Sequence, residues 1–402
     1  MVDDSLPVVR LGDVLPNSYK NGIYKSSDFY GEGTPILRIN DFDNNGLLIN
    51  KELREVRLAK KEIDSYRLKY DDIVVNRVNS LTHIGKSHLW KDSSEKPVVY
   101  ESNMMRIEAD RSLVLPEYLI RILHSHKTRA HFRRVAKRAV AQCSVSQQDV
   151  KSLSFPLPPL AAQRRIARIL STWDEAILYK EQLLENSKQQ KKALMQLLLT
   201  GKRRLPGFEE EWSELTLGQL FSERKEAGIT GLSLLSVTSE HGIINRNDVG
   251  RKDTSSKDKS KYLKVCPGDI AYNTMRMWQG VSSLSSLEGI VSPAYTVLKP
   301  KDGVNSSFAA YLFKLPIMIH RFYRHSQGLV SDTWNLKYKH FSKIKVAIPE
   351  TNEQRAIADI LSKEDEAIRA IKIQIEQLRQ EKRALMQQLL TGKRRVKVDD
   401  TE

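Results

Sequence analysis

The chain has only two cysteines in 402 residues, Cys143 and Cys266. They lie far apart and lack metal-ligand spacing, so neither a disulfide framework nor a zinc site is written here. Both read as small apolar residues packed inside. No apolar run approaches the roughly 18 residues that a membrane helix needs. The start, Met1-Val2-Asp3-Asp4-Ser5, lacks the basic segment and apolar run of a signal peptide. A cytoplasmic location is expected, with no membrane partner. Acidic residues are also short: 49 Asp and Glu face 65 Lys and Arg, a net charge of +16. Such an excess points to a polyanionic partner, most often nucleic acid. Hydrophobic residues make up 40%, enough to build ordinary cores and exclude wholesale disorder. The length suggests two or three domains.

Motifs for chemistry are scarce. Gly85-Lys86-Ser87 has Ser80 where a phosphate-binding loop needs its upstream glycine, so it reads as a turn. Asp71-Asp72 is the best acidic pair for a metal nuclease, but acidic pairs are common in loops. His83, His88, His124, His126 and His131 show no zinc pattern, and no metal site is expected.

What the chain does have is a repeat. Gln163-Arg164-Arg165-Ile166-Ala167-Arg168-Ile169-Leu170-Ser171 recurs as Gln354-Arg355-Ala356-Ile357-Ala358-Asp359-Ile360-Leu361-Ser362, 191 positions later. Asp174-Glu175-Ala176-Ile177 recurs as Asp365-Glu366-Ala367-Ile368, and Leu198-Leu199-Thr200-Gly201-Lys202-Arg203-Arg204 as Leu389-Leu390-Thr391-Gly392-Lys393-Arg394-Arg395. The offset never changes. It is too long for a solenoid, whose repeats run roughly 20–50 residues. It reads as duplication of a domain plus a helix. One small departure, which puts nothing in doubt, is Ala162, which stands where the second copy has Glu353.

The repeated segments read as helices of about 40 residues, about 60 Å each. In the second, Ile357, Leu361, Ile368, Ile371, Ile375, Leu378, Leu385 and Leu389 fall at alternating steps of four and three, with Glu364 and Lys382 filling the gaps. That is a coiled-coil seam. The first keeps Ile166, Leu170, Trp173, Ile177, Leu184, Leu194 and Leu198, interrupted by Lys180, Ser187 and Lys191. Pro158-Pro159 and Pro349 precede the helices, and Thr351 with Gln354 suggests a capping box. Gly201 and Gly392 sit where a left-handed residue ends a helix. The matched seams suggest that the two helices pair within one chain, antiparallel. An ordinary dimerisation coiled coil is the plainer alternative.

The segments before the helices correspond more weakly. Asp72-Ile73-Val74-Val75-Asn76 resembles Asp269-Ile270-Ala271-Tyr272-Asn273. Each globular part mixes strand-like runs (35–39, 73–75, 290–298) with helical ones (115–123, 308–322). The fold class expected is α+β: two repeat-related α/β domains, each followed by a long helix, the helices pairing as an antiparallel coiled coil. The expected divisions are a domain over 1–158, a helix over 159–201, a domain over 202–349, a helix over 350–392 and a basic-then-acidic tail over 393–402.

Paired variable domains separated by near-identical helical segments resemble the specificity subunit of type I restriction–modification systems. The resemblance is carried by the proline-to-helix runs at 156–170 and 348–361 and by the paired helix exits. It spans nearly the whole chain. It implies two target recognition domains, each reading one half of an asymmetric bipartite site in double-stranded DNA. It implies that the paired helices set the spacer. Two DNA-methyltransferase subunits and two motor-nuclease subunits would be the partners. The chain itself would be non-catalytic and hold no cofactor, with S-adenosylmethionine, ATP and Mg in the partner subunits. The methyltransferase's own Asn/Asp-Pro-Pro-aromatic motif is missing: the only double proline, Pro158-Pro159, is followed by Leu160. The resemblance makes Gly85-Lys86-Ser87 the counterpart of Gly280-Val281-Ser282. The alternative is a coiled-coil adaptor whose basic domains grip nucleic acid without sequence preference. Such a scaffold has no reason to diverge in its loops while keeping its helices.

Candidate DNA contacts follow from side-chain chemistry. The run 126–138 carries Arg129, Arg133, Arg134, Lys137 and Arg138, which at helical spacing can line one face against phosphates. Lys314, His320, Arg321, Arg324 and His325 stand in the corresponding region of the second half. The loops after the Asp-Ile strands carry Asn76, Arg77, Asn79, Asn273 and Arg276, suited to adenine and guanine edges, although asparagine is equally common in plain turns. Gln142, Gln147 and Gln148, with Gln327, Ser331 and Asn335, form polar loops of the right chemistry. On the helices, Gln163, Arg164, Ile166, Trp173, Gln354, Arg355, Ile357 and Ile368 are the candidates for partner-subunit binding.

Overall fold

The computed structural model describes residues 6–15, 17–50, 52–93, 96–140, 142–229, 231–238, 242–249, 258–329 and 333–397. Ser331 and the acidic end of the tail lie outside these. The chain divides into two compact units. One comprises Met1–Lys180 and Gln374–Glu402; the other is Glu181–Ile373. The long helices run over Leu160–Leu198 and Thr351–Leu389, so each contributes to both units.

The first unit is built on an antiparallel sheet. Its strands, in spatial order, are Tyr19–Asn21, Met104–Ile107, Ile73–Asn76 and Ser87–Leu89. The period-2 alternation of a strand sends neighbours to opposite faces. Ile73 and Val75 accordingly enter the main core, while Val74 enters a second one with Leu37, Trp90 and Tyr100. The second unit repeats the plan with Phe221–Glu223, Tyr295–Pro300, Ile270–Asn273 and Ser282–Leu284 in the same order. A short pair closes each domain: Val8–Arg10 with Ser154–Pro156, and Ser213–Thr216 with Lys345–Ile348. Asp72 and Asp269 play one role. Each is 2% exposed, and its carboxylate accepts from the backbone N–H three residues earlier, at Lys69 and Cys266. Asp269 also takes two bonds from Arg224, while Asp72 faces Arg106 at 3.4 Å.

The helices pair antiparallel. In the first unit Lys382 reaches Asp174, and Lys180 donates to Gln374 at 2.9 Å, so one helix ascends as the other descends. Leu385 and Leu389 join Ile166 and Leu170 in one core. In the second unit Lys191 pairs with Asp365 at 2.6 Å, and Leu198 packs with Ile357 and Leu361. Two of the lysines that interrupt the apolar seam, Lys191 and Lys382, are therefore seam ion pairs, each meeting the aspartate of the opposite copy. A fully buried leucine contributes about 2 kcal/mol and a half-exposed ion pair about 1 or less. The apolar residues hold the helices together; the charges select register. Both helices end as expected. Gly201 and Gly392 take φ of 69° and 74°, and the N–H groups of Arg203 and Arg394 return to Leu197 and Gln388. No helix of the described residues is long and apolar enough to cross a membrane.

Four local expectations are corrected. The run 290–298 is two strands, Gly289–Val291 and Tyr295–Pro300, and the run 308–322 is two helices, Ser306–Leu312 and Pro316–His325. Pro293 and Pro316 break them, because proline cannot donate and disfavours helix in the residue before it. The capping box is absent: Thr351 is already helical, and its hydroxyl donates to the Gly303 carbonyl at 3.0 Å. Gln354 instead accepts from Asn305 N–H and donates to Gly303 and Pro349. Ala162 versus Glu353 is more than a small departure. Glu353 is fully buried, bonded twice by Arg204 at 2.7 and 2.8 Å and once by Trp212 at 3.2 Å.

Candidate nucleic-acid interface

In the first unit the basic run is not one helix. A helix covers His126–Val135, and Lys137–Arg138 form a strand. Ser125 caps the helix, and Phe132 anchors it by filling the space over Gly85, whose φ of 73° a side chain rarely adopts. The strand pairs with Cys143–Ser144, which pairs with Val78–Asn79. Two candidate segments far apart in sequence thus become one three-stranded ribbon. Its turn is closed by the Ala139 N–H on the Gln142 carbonyl at 2.8 Å. Lys137, Arg138 and Gln142 of the ribbon, and Arg133 and Arg134 of the helix that leads into it, are all exposed, with Val140 fully exposed at the turn.

Other candidates are turned inward. Asn76 is 0% exposed in its strand, so it presents nothing to a base edge. Arg77 donates to the Ser102 carbonyl, and Arg129 to that of Asn44. Asn79 accepts from Ser80 N–H, a turn bond. Gln147 and Gln148 start a short helix, Gln147–Lys151, rather than a loop. Lys86 is buried and donates to Ile39 and Phe42 carbonyls. His124 donates to the Ser87 carbonyl at 2.9 Å. Burial, with Arg129, Arg121 and Lys382 nearby, pushes its pKa down to about 4 against the bond to Ser87, so it is neutral at pH 7.

The second unit carries the same parts. Asn273 ends its strand and accepts from Met275 N–H at 3.0 Å, again a turn bond. Gln327 and Asn335 exchange backbone bonds of 2.9 and 2.8 Å, and Leu336 donates to the Thr274 carbonyl. An antiparallel bridge between Gln327 and Asn335 therefore lies beside the strand end, where the first unit has its ribbon. Arg276, Arg324 and Gln327 are exposed; Asn335 is half-buried. His320 is exposed, and His325 donates to the Arg321 carbonyl within its own helix. Arg321 itself donates to the Lys345 carbonyl. Lys314 is corrected: its ammonium donates to the Gly280 and Ser282 carbonyls at 2.9 and 2.6 Å, and burial lowers its pKa. Gly280 has φ of 77°, matching Gly85, and Ser282 starts a strand as Ser87 does.

Five helix candidates for partner binding face inward. Gln163, Ile166, Gln354, Ile357 and Ile368 are all buried. Gln163 accepts from Leu115 N–H and donates to Leu113 and Pro158, the counterpart of the Gln354 set. These glutamines bolt each domain to the start of its helix. Arg164 and Arg355 are exposed, and Trp173 is half-buried.

The family described as type I restriction modification DNA specificity domain matches residues 5–188 and again 209–380. The chain belongs to this family. The provisionally named type I restriction enzyme MjaX specificity subunit of Methanocaldococcus jannaschii is 27% identical, over 98% of this chain and 95% of its own. The MjaVIII specificity subunit of the same organism is 25% identical, over 81% of each chain. In fold, the chain is similar to the S subunit from M. genitalium, with a TM-score of 0.56 over 97% of this chain and 98% of that one at 15% identity. For a DNA specificity family, the exposed arginines, lysines and glutamines near the two strand ends have apt chemistry: cations for phosphates and amides for base edges.

Sequence reasoning missed an aromatic cluster next to these candidates. In the second unit Trp278 and Trp334 meet edge to face at 5.3 Å, and Tyr323 meets Trp334 at 5.0 Å. Met275 and Tyr323 are 50% and 42% exposed, and Leu329 is fully exposed. The signal was available. Two of only five tryptophans stand in loop segments that follow neither strand nor helix periodicity.

Proposed function

We propose that the chain is the non-catalytic DNA-reading subunit of a type I restriction–modification complex. Each recognition domain reads one half of an asymmetric bipartite target, and the chain directs methyltransferase and restriction subunits to it. The observation that carries this is the pairing of a shared frame with unlike surfaces. Both units keep the same sheet order, the same bolting glutamine and an antiparallel pairing beside the equivalent strand end. Their exposed side chains differ, Arg133 in one standing where Tyr323 stands in the other. A generic nucleic-acid clamp has no use for that difference; a reader of two unlike half-sites requires it. Two methyltransferase and two motor-nuclease subunits would complete the complex, holding the S-adenosylmethionine, ATP and Mg. The paired helices would serve as the ruler for the spacer.

The test is the map of modified bases in the host genome with and without the gene. Loss of one bipartite adenine-methylated motif on deletion supports the reading and delivers the target. Methylation that stays unchanged while the chain binds the neighbouring methyltransferase and random duplexes alike would overturn it in favour of the adaptor.

A further inference from the structure

We infer that the second recognition domain reads thymine through its methyl group, using an aromatic cluster at a place where the first domain carries arginine. The inference rests on the proposed reading of DNA and names what one half-site contains. The helices His126–Val135 and Pro316–His325 have ten residues each and align without a gap. Phe132 and Phe322, at the seventh position, are both fully buried, so the eighth and ninth positions occupy equivalent faces. The first domain has Arg133 and Arg134 there; the second has Tyr323 and Arg324. Tyr323 continues into Trp334 and Trp278, with Met275 exposed beside them. The indole N–H of Trp278 is spent on the Met275 carbonyl at 2.9 Å, so this ring offers no remaining donor.

Met275 and Tyr323 are exposed and the two tryptophans between them half-buried, and such a cluster marks an interaction site, because single exposed apolar residues are ordinary and clusters are not. Its occupant is duplex DNA by charge: Arg276 and Arg324 flank the patch and are exposed. In the major groove the one apolar feature on a base edge is the thymine methyl, and apolar side chains are what distinguish it. The first domain's set, Arg133, Arg134, Lys137, Arg138 and Gln142, is charged or polar, with the small Val140 side chain exposed at the turn and no aromatic ring beside it among the described residues of the ribbon and its helix face.

The experiment uses the full chain with its methyltransferase partner and duplexes carrying the mapped target. The second domain's half-site is the one left unchanged when residues 1–158 are exchanged. Each thymine is replaced in turn by deoxyuridine, which removes only the methyl. The wild-type protein is used, so folding is not at issue. At least one replacement in the second half-site should weaken binding about fourfold, the worth of one buried methyl-sized group. Replacements in the first half-site should change binding by less than about twofold. Trp334→Ala should bind the thymine and deoxyuridine probes alike. A second half-site without thymine on either strand, or one indifferent to every replacement, overturns the inference while leaving the proposed function intact. Absence of any sequence-specific binding defeats both.

Discussion

In the first unit His124 closes the end of a helix by donating to the Ser87 carbonyl; in the second, Lys314 does the same to Ser282 and adds Gly280. The strands reached are equivalent, yet one donor is a neutral imidazole and the other an ammonium. A similar contrast holds at the helix starts. Glu353 is buried under Arg204 and Trp212, where the first copy has Ala162 and nothing to pair. Gln163 and Gln354, by contrast, make the same three bonds in both units. The comparison teaches that the backbone groups to be satisfied are constant, while the chemistry that satisfies them drifts wherever a different donor fits.

The largest way to test that separation of frame from surface is to exchange residues 1–158 for another recognition domain. One half-site of the methylated motif should change completely and the other not at all. A motif altered in both halves would mean that the units do not read independently.

Acid should separate the units next. His124 has a folded pKa near 4 against an ordinary value of 6.5, so the unfolded chain binds its proton first. Its stabilising share is full above about pH 6.5 and is lost as pH falls toward 4, on the order of 3 kcal/mol in all. The variant His124→Gln keeps a donor without the titration. Its unfolding midpoint should fall less between pH 7 and 4.5 than that of the parent chain, and parallel curves would remove His124 from the account.

Glu353→Gln keeps the shape of the helix start but removes the charge that Arg204 faces. The thermal midpoint of the chain should drop by several degrees. Ala162→Ser, at the matching place in the first unit, should leave it unchanged. An equal effect from the two would show that the buried pair is not special to the second unit.

The smallest expected effects are at the surface. Arg133→Ala with Arg134→Ala should weaken DNA binding evenly across sequences and lower the salt slope by about 2, one for each phosphate no longer neutralised. Tyr323→Ala should leave the salt slope alone and change affinity only for the second half-site. Titration of binding against salt separates the two behaviours.

Much of the architecture was legible. The gapless 191-residue repeat announces two equivalent parts, and the seams, prolines and terminal glycines announce the helices and their ends. Pattern reading failed where proline cut an apolar run, at Pro293 and Pro316, because hydrophobicity alone does not register a lost donor. It also failed at Asn76, whose amide looks suited to adenine but lies at the buried end of a strand. Residue type names the chemistry a side chain could perform; burial decides whether it meets a partner.

The sequence by itself determined the duplication, the two long helices and the basic character of the chain. Those properties live in periodicity and composition, which are local and additive along the chain. Only the tertiary structure decided that seam lysines meet aspartates of the opposite copy, that the basic ribbon joins strands as distant as Val78–Asn79 and Cys143–Ser144, and that tyrosine and two tryptophans gather where the other unit has arginine. Each of these depends on which strands and helices come together, and a pairing between distant residues leaves no mark on either segment read alone.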